Sequence, residues 1–405
     1  MYWDGDETSE HAESLLASFL QSLGGQCALP AVLPAVESLL GNSAADWKQQ
    51  RAALAILEQC LCAAPATFKQ HIPVSVASAL RLTSSPSPRV QFKALSVLGL
   101  ICEEDTGFAV RKQHGNQMVE SICVLVNSPI SKVSSQACSA LVSFCRGGMA
   151  SATDKEVRTE VVSTFTDQLV HLLVRGPLSL SVCDGRIVNN GALVTQAKAI
   201  GAIACLAEAT GEGFAPFYEL TVPALFSCTQ LTINRYDVAQ LRGSAVEAIT
   251  IIGQSIGEDN QQCFLADAEK LMSILVPMLQ QTEQEGREDV VPTEQILSAC
   301  ARIASVVEEK YAPFLGVVLP HLLGRLRRDN AVSISVSVLR TCCCLGFSLF
   351  SMSLYCDCSV LTNQTPWLFP CFCNLHRREP KRVWKPPNGV TFRLTVTKVR
   401  KKRKR

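Results

Sequence analysis

The chain has no Gly-Lys-Ser phosphate loop and no His-Glu-X-X-His pair, so it lacks the usual means of holding a nucleotide or a catalytic zinc. Its histidines are few and far apart: His11, His71, His114, His171, His321 and His376, none with an obvious carboxylate or nucleophile partner in sequence. Leu241-Arg242-Gly243-Ser244 puts a serine next to a glycine, but without the strand-turn-helix setting of a nucleophile elbow. Aromatic residues make up only 6% of the chain, and strand-type alternation does not persist for long. The start, through Glu13, is acidic and has no basic segment followed by an apolar one, so no secretory signal is expected there. Together these absences argue against an enzyme and against a sheet protein.

What is present is a repeat. Ala53, Ala94, Ala137, Ala199, Ala245 and Ala299 are each followed four residues later by Leu57, Leu98, Leu141, Ile203, Ile249 and Ile303. Residues four apart share one face of a helix, so each pair marks a small-to-large contact site. The steps of 41, 43, 62, 46 and 54 residues match helical hairpins of the HEAT type, with insertions in the two longest steps. The inserts fall at residues 183–191 and 283–289. Pro34, Pro73, Pro223 and Pro277 stand about twenty residues before an alanine, inside apolar segments, and Pro320 opens a further unit. Proline costs nothing in the first turn of a helix and kinks it further in. Each unit therefore reads as a proline-bearing first helix, a turn and an Ala/Leu second helix. The expected fold is all-α: a right-handed HEAT-repeat (armadillo-like) α-solenoid of about six to seven hairpins over residues 1–340.

The net charge of +2 conceals a division. Residues 1–331 hold 24 Lys and Arg against 34 Asp and Glu, a net −10, whereas residues 332–405 hold 14 against 2, a net +12. The body should favour basic partners over nucleic acid. Its cysteines are scattered; Cys60, Cys138, Cys205 and Cys300 fall in second helices, where a thiol packs as a small hydrophobe, and a reducing compartment is expected. No cofactor or metal is expected for the body.

The repeat stops near Thr341. Beyond it lie seven cysteines, an apolar run at 338–355 and a terminal basic pentad, Lys401, Lys402, Arg403, Lys404 and Arg405. Cys356, Cys358, Cys371, Cys373 and His376 have spacings unlike common zinc fingers. The apolar run is close to bilayer length but is interrupted by Arg340, cysteines and serines, so no membrane span is expected. The pentad admits a nuclear-localisation or nucleic-acid reading. The reading preferred here is that residues 341–405 do not continue the solenoid: an atypical tail, disordered or carried in by a mis-assembled coding sequence.

Several segments resemble one family. Leu23-Gly24-Gly25, Leu29-Pro30 and Asp46-Trp47-Lys48 ahead of Ala52-Ala53-Leu54 resemble a repeat of the importin-beta (karyopherin-beta) family, particularly its importin-five and importin-four branch. Pro88-Arg89-Val90 before Ala94 is similar to the next repeat, and Lys132-Val133 with Ala137, Ala140, Leu141 and Phe144 to the third. Phe214-Ala215-Pro216-Phe217-Tyr218, and Leu241-Arg242-Gly243 with Ile252-Gly253 and Ile256-Gly257, resemble later ones. The likeness covers residues 9–328 and corresponds to middle repeats of such a receptor.

The resemblance implies a nuclear transport receptor shuttling between cytoplasm and nucleus, with basic cargo proteins, Phe-Gly repeat proteins of the nuclear pore and Ran-GTP as partners. The family's N-terminal repeats, which carry the main Ran contacts, have no match. First helices on the convex side and second helices on the concave side is also the family's arrangement. It makes Glu58, Glu103, Glu104, Asp105, Glu208, Glu212, Glu247 and Glu308, with Glu258, Asp259 and Glu309, candidates for an acidic trough that grips an extended basic cargo signal. The alternative on the same fold is a HEAT scaffold with no transport role.

Overall fold

The structure, a computed structural model, describes residues 6–41, 46–104, 107–147, 152–179, 190–231, 236–281, 291 and 293–328. The insert at 283–289, most of that at 183–191, and the whole cysteine-rich and basic tail lie outside the described residues.

Among the described residues there are fifteen α-helices, short 3-10 turns and no strand. They run α1 (Asp6–Leu23), α2 (Gly25–Gly41), α3 (Trp47–Ala63), the one-turn α4 (Pro65–Phe68), α5 (Ile72–Leu82), α6 (Pro88–Glu103), α7 (Gly107–Val126) and α8 (Ser131–Arg146). Then come α9 (Ala152–Arg175), α10 (Asn190–Thr210), α11 (Tyr218–Thr229), α12 (Tyr236–Ser255), α13 (Gln261–Gln281), α14 (Thr293–Val307) and α15 (Ala312–Arg328). Six hairpins result: α2/α3, α5/α6, α7/α8, α9/α10, α11/α12 and α13/α14, with α1 packed on α3 and α15 on α13. The second helices form a continuous layer in the order α1, α3, α6, α8, α10, α12, α14, each packed on the next. This is the HEAT-type α-solenoid expected from the repeat.

The Ala/Leu pairs build that layer. All twelve of their side chains are buried, none more than 3% exposed. An alanine admits the neighbouring helix closely and the Leu or Ile one turn away fills the space beside it; burying each such side chain contributes about 1.5–3 kcal/mol. The four second-helix cysteines are buried among them, as a small apolar residue should be.

Proline marks the first helices, and the two positions left open by the sequence both occur. Pro73 does sit in the first turn of α5, whereas Pro34, Pro223, Pro277 and Pro320 lie inside α2, α11, α13 and α15. All five are exposed. A missing amide on the water-facing side leaves a carbonyl that water satisfies, so the helix bends outward at little cost.

One described stretch, Ala192–Thr229, is apolar enough to cross a bilayer, but 61% of its most apolar window is buried inside the solenoid. Its hydropathy is that of α10 at the centre of the second-helix layer.

Candidate functional site

The second-helix layer carries its acidic residues at two levels. Those within helices are bound to the next repeat. Lys93 of α6 donates from Nζ to Glu58 Oε2 on α3 at 2.8 Å and to Glu13 Oε2 on α1 at 2.7 Å. Ser96 Oγ donates to the other Glu58 oxygen at 2.9 Å, and Arg51 lies 3.8 Å from Glu13. Burial lowers the affinity of Lys93 for its proton, but the charge of Glu58 and the hydrogen bonds to Glu13 and Glu58 outweigh it and raise its pKa. Glu247 of α12 similarly lies 3.6 Å from Arg302 of α14, whose Nε donates to Thr250 Oγ1 at 2.8 Å. Burial nevertheless pulls the pKa of Arg302 down against the opposing pull of Glu247 and Glu208.

The second level is the row of helix exits. Glu103 ends α6 and accepts a hydrogen bond from Ser143 Oγ of α8 at 2.6 Å; Glu104 follows it. Glu208 stands in the last turn of α10 and Glu212 in the 3-10 turn after it. Glu258 and Asp259 follow α12, and Glu308, at φ 48°, follows α14. Among the described residues none of these seven carboxylates makes an ion pair. Asp105 and the side chain of Glu309 lie outside the described residues. These seven acids thus stand at the exits of α6, α10, α12 and α14, while Glu58 and Glu247 lie against internal cations.

Those cations escaped the sequence reading. The available signal was a lysine or arginine inside an otherwise apolar second helix: Lys93 directly before Ala94, Arg302 directly before Ile303. A lone cation among buried neighbours requires a carboxylate close by, and the repeat places one on the adjacent helix.

The described residues contain no group of three or more His, Cys, Asp or Glu side chains placed to hold a metal.

Residues 187–331 match the family model described as importin subunit beta-1-like, TPR repeats. The chain is 25% identical over 317 residues to importin subunit beta-3 of Saccharomyces cerevisiae, covering 78% of this chain and 26% of that protein. Along the matched residues the chain is thus similar to importin-beta (karyopherin) HEAT-repeat proteins. The solved karyopherin Kap121p bound to the extreme C-terminus of the protein phosphatase Cdc14p has the same fold, with a TM-score of 0.62 at 22% identity over 80% of this chain and 28% of that one. Kap121p bound to Pho4p gives a TM-score of 0.62 at 21% identity over the same shares. The chain therefore spans about a quarter of the length of the curated relative it matches.

Proposed function

We propose that this chain is a middle segment of a nuclear import receptor of the importin-five and importin-four type, gripping basic cargo signals along its second-helix exits. The observation that carries the reading is the set of carboxylates without ion-pair partners at the exits of α6, α10, α12 and α14: Glu103 and Glu104, Glu208 and Glu212, Glu258 and Asp259, then Glu308. Exposed ion pairs each supply about 0–1 kcal/mol, so a row of them with apolar contacts reaches micromolar affinity, about −8 kcal/mol, and weakens with salt. Kap121p carrying segments of Cdc14p and Pho4p supports a protein segment as the ligand.

On the first-helix layer, Leu29, Pro30, Leu33 and Pro34 of α2 face Thr67 and His71 across a cleft of about 220 Å³. It suits a phenylalanine ring of a Phe-Gly repeat protein. Passage between cytoplasm and nucleus follows from this reading, with Ran-GTP as the release partner of the complete receptor.

A fluorescent lysine- and arginine-rich peptide tests the trough. Exchanging Glu103, Glu104, Glu208 and Glu212 for glutamine should weaken binding at least tenfold, and Glu58→Gln should change it little. Equal affinity in both variants overturns the reading. Entry into a Phe-Gly hydrogel separates a receptor from a plain scaffold, which is excluded.

A further inference from the structure

At one place the row of exits changes sign. The acidic exits of α6, α10, α12 and α14 are interrupted at α8, which ends on Arg146. Beside it, between the ends of α8 and α10 and the first turns of α9, lies a cavity of about 260 Å³ walled by Arg146, Lys155, Arg158 and Glu208 with the thiols of Cys145 and Cys205.

Arg158 is fixed in place. Its Nη1 donates to the backbone oxygens of Cys145 and, at 2.6 Å, of Arg146, and its Nε lies 3.4 Å from Asp154 Oδ2. Its Nη2 has no partner among the described residues. The charge of Asp154 is shared with Arg111, which holds both its carboxylate oxygens. Arg146, Lys155 and Glu208 make no ion pair among the described residues. Three cations thus face one carboxylate in a recess on an otherwise acidic surface.

We propose that this cavity binds a phosphoryl group carried on a serine or threonine of an extended peptide. The excess of two positive charges matches a phosphate monoester, which carries about −1.5 to −2 at neutral pH. The fixed guanidinium of Arg158 offers its open Nη2 to one phosphate oxygen, and the two flexible cations close over the remaining oxygens.

The neighbouring exits set the flanking sequence. Adjacent helices lie about 8–10 Å apart and an extended chain advances about 3.3 Å per residue, so one repeat corresponds to about three residues. A basic residue three positions before the phosphate then reaches Glu103, and one three positions after reaches Glu212. The inference goes beyond the transport reading and does not need pore passage.

The test uses a fluorescent peptide with lysines three positions either side of a central serine, in serine, phosphoserine and glutamate forms, against the full chain. The phosphoserine form should bind about tenfold more tightly than the serine form, the return of one charge-assisted contact set of about 1.4 kcal/mol. That advantage should vanish in Arg146→Ala/Lys155→Ala and in Lys155→Glu, both made at exposed positions. Inorganic phosphate at matched ionic strength should displace the phosphopeptide and leave the serine peptide bound. A phosphoserine form no tighter than serine, or an advantage that survives both variants, overturns the proposal; so does a glutamate form equal to phosphoserine, which makes the cavity a carboxylate site. Weaker basic-peptide binding in Glu103→Gln/Glu104→Gln, neither of which lines the cavity, concerns the trough alone, because the phosphate advantage is read as a ratio.

Discussion

Arg111 and Asp154 join α7 to α9 through a forked ion pair that is almost wholly out of water. Arg111 is 1% exposed and Asp154 3%. Nη2 donates to both carboxylate oxygens, at 2.7 and 2.8 Å, and Nε to Oδ1 at 3.0 Å. The remaining guanidinium nitrogen donates to the carbonyl oxygen of Cys102, 2.7 Å away at the end of α6. With Arg158 on the last carbonyls of α8, α7 and α9 each cap the exit of the second helix before them. Helix ends leave carbonyls without intrahelical partners, and here the next hairpin supplies the donors.

Removing one partner should therefore cost far more than removing both. Asp154→Ala leaves a buried guanidinium uncompensated and should destabilise the chain by about 3–5 kcal/mol. Arg111→Met combined with Asp154→Leu should recover a large part of that loss. Denaturant midpoints of the three variants decide it; additive losses would show that the pair acts only through packing.

Gly147 ends α8 at φ 63° with its Cα against this pair; a Cβ there would come within 3.0 Å of Arg111 Nη2 and 3.2 Å of Asp154 Oδ2. Gly147→Ala combines left-handed backbone strain with crowding of a buried ion pair and should lower stability by about 1–3 kcal/mol. Gly211→Ala, also at positive φ but with only one atom near 3.9 Å, should cost less. Thermal melts of the two variants give the comparison.

Between α12 and α13, a Cβ on Gly253 would overlap the ring of Phe264, which is fully buried. Gly253→Ala should destabilise by about 1–3 kcal/mol despite the better helix propensity of alanine. Adding Phe264→Leu should restore part of the loss. A double-mutant cycle with no coupling would place the cost elsewhere.

Lys93 has a raised pKa in the folded chain. Its protonated form is the one the native state favours, so the stabilisation is fully present below the unfolded lysine value of about 10.4 and is lost as pH rises through the higher folded value. Unfolding free energy should fall with pH above about 10. The Lys93→Met variant should show a flatter profile in that window, and an unchanged slope would rule the linkage out.

Thiol reactivity should follow burial and charge. Cys27, Cys62 and Cys263 are exposed, while Cys102 is buried with its pKa pushed up to about 12 by burial. Burial and then the charges of Glu58, Glu104 and Glu103 raise the pKa of Cys62. Only thiolate reacts, so alkylation at pH 8 should modify Cys62 quickly only after salt screens those carboxylates or Glu58→Gln removes one. Peptide mapping by mass spectrometry follows each cysteine, and a Cys62 rate insensitive to salt would count against the acidic exit surface.

The repeat was readable because its contacts are periodic and local. Ala94 and Leu98, or Ala245 and Ile249, lie one turn apart on a single helix, and only a neighbouring helix of the same kind fits against them. The prolines told which helices come first but not that Pro34 and Pro277 would lie inside them, because their tolerance depends on which side faces water. The acids named as a trough were less well resolved. Glu103 and Glu208 make no ion pair among the described residues, but Glu58 is claimed by Lys93, 35 positions later, and Glu247 by Arg302, 55 positions later.

The chain's periodicity alone determined a stacked helical array, since residues that share a helix face are fixed by the spacing of the sequence itself. Which charges remain available to a partner was decided by tertiary packing. Neutralisation acts over a few ångströms, and the helices that bring Arg111 to Asp154, or leave Arg146 open beside Lys155, are set one against another only when the repeats stack.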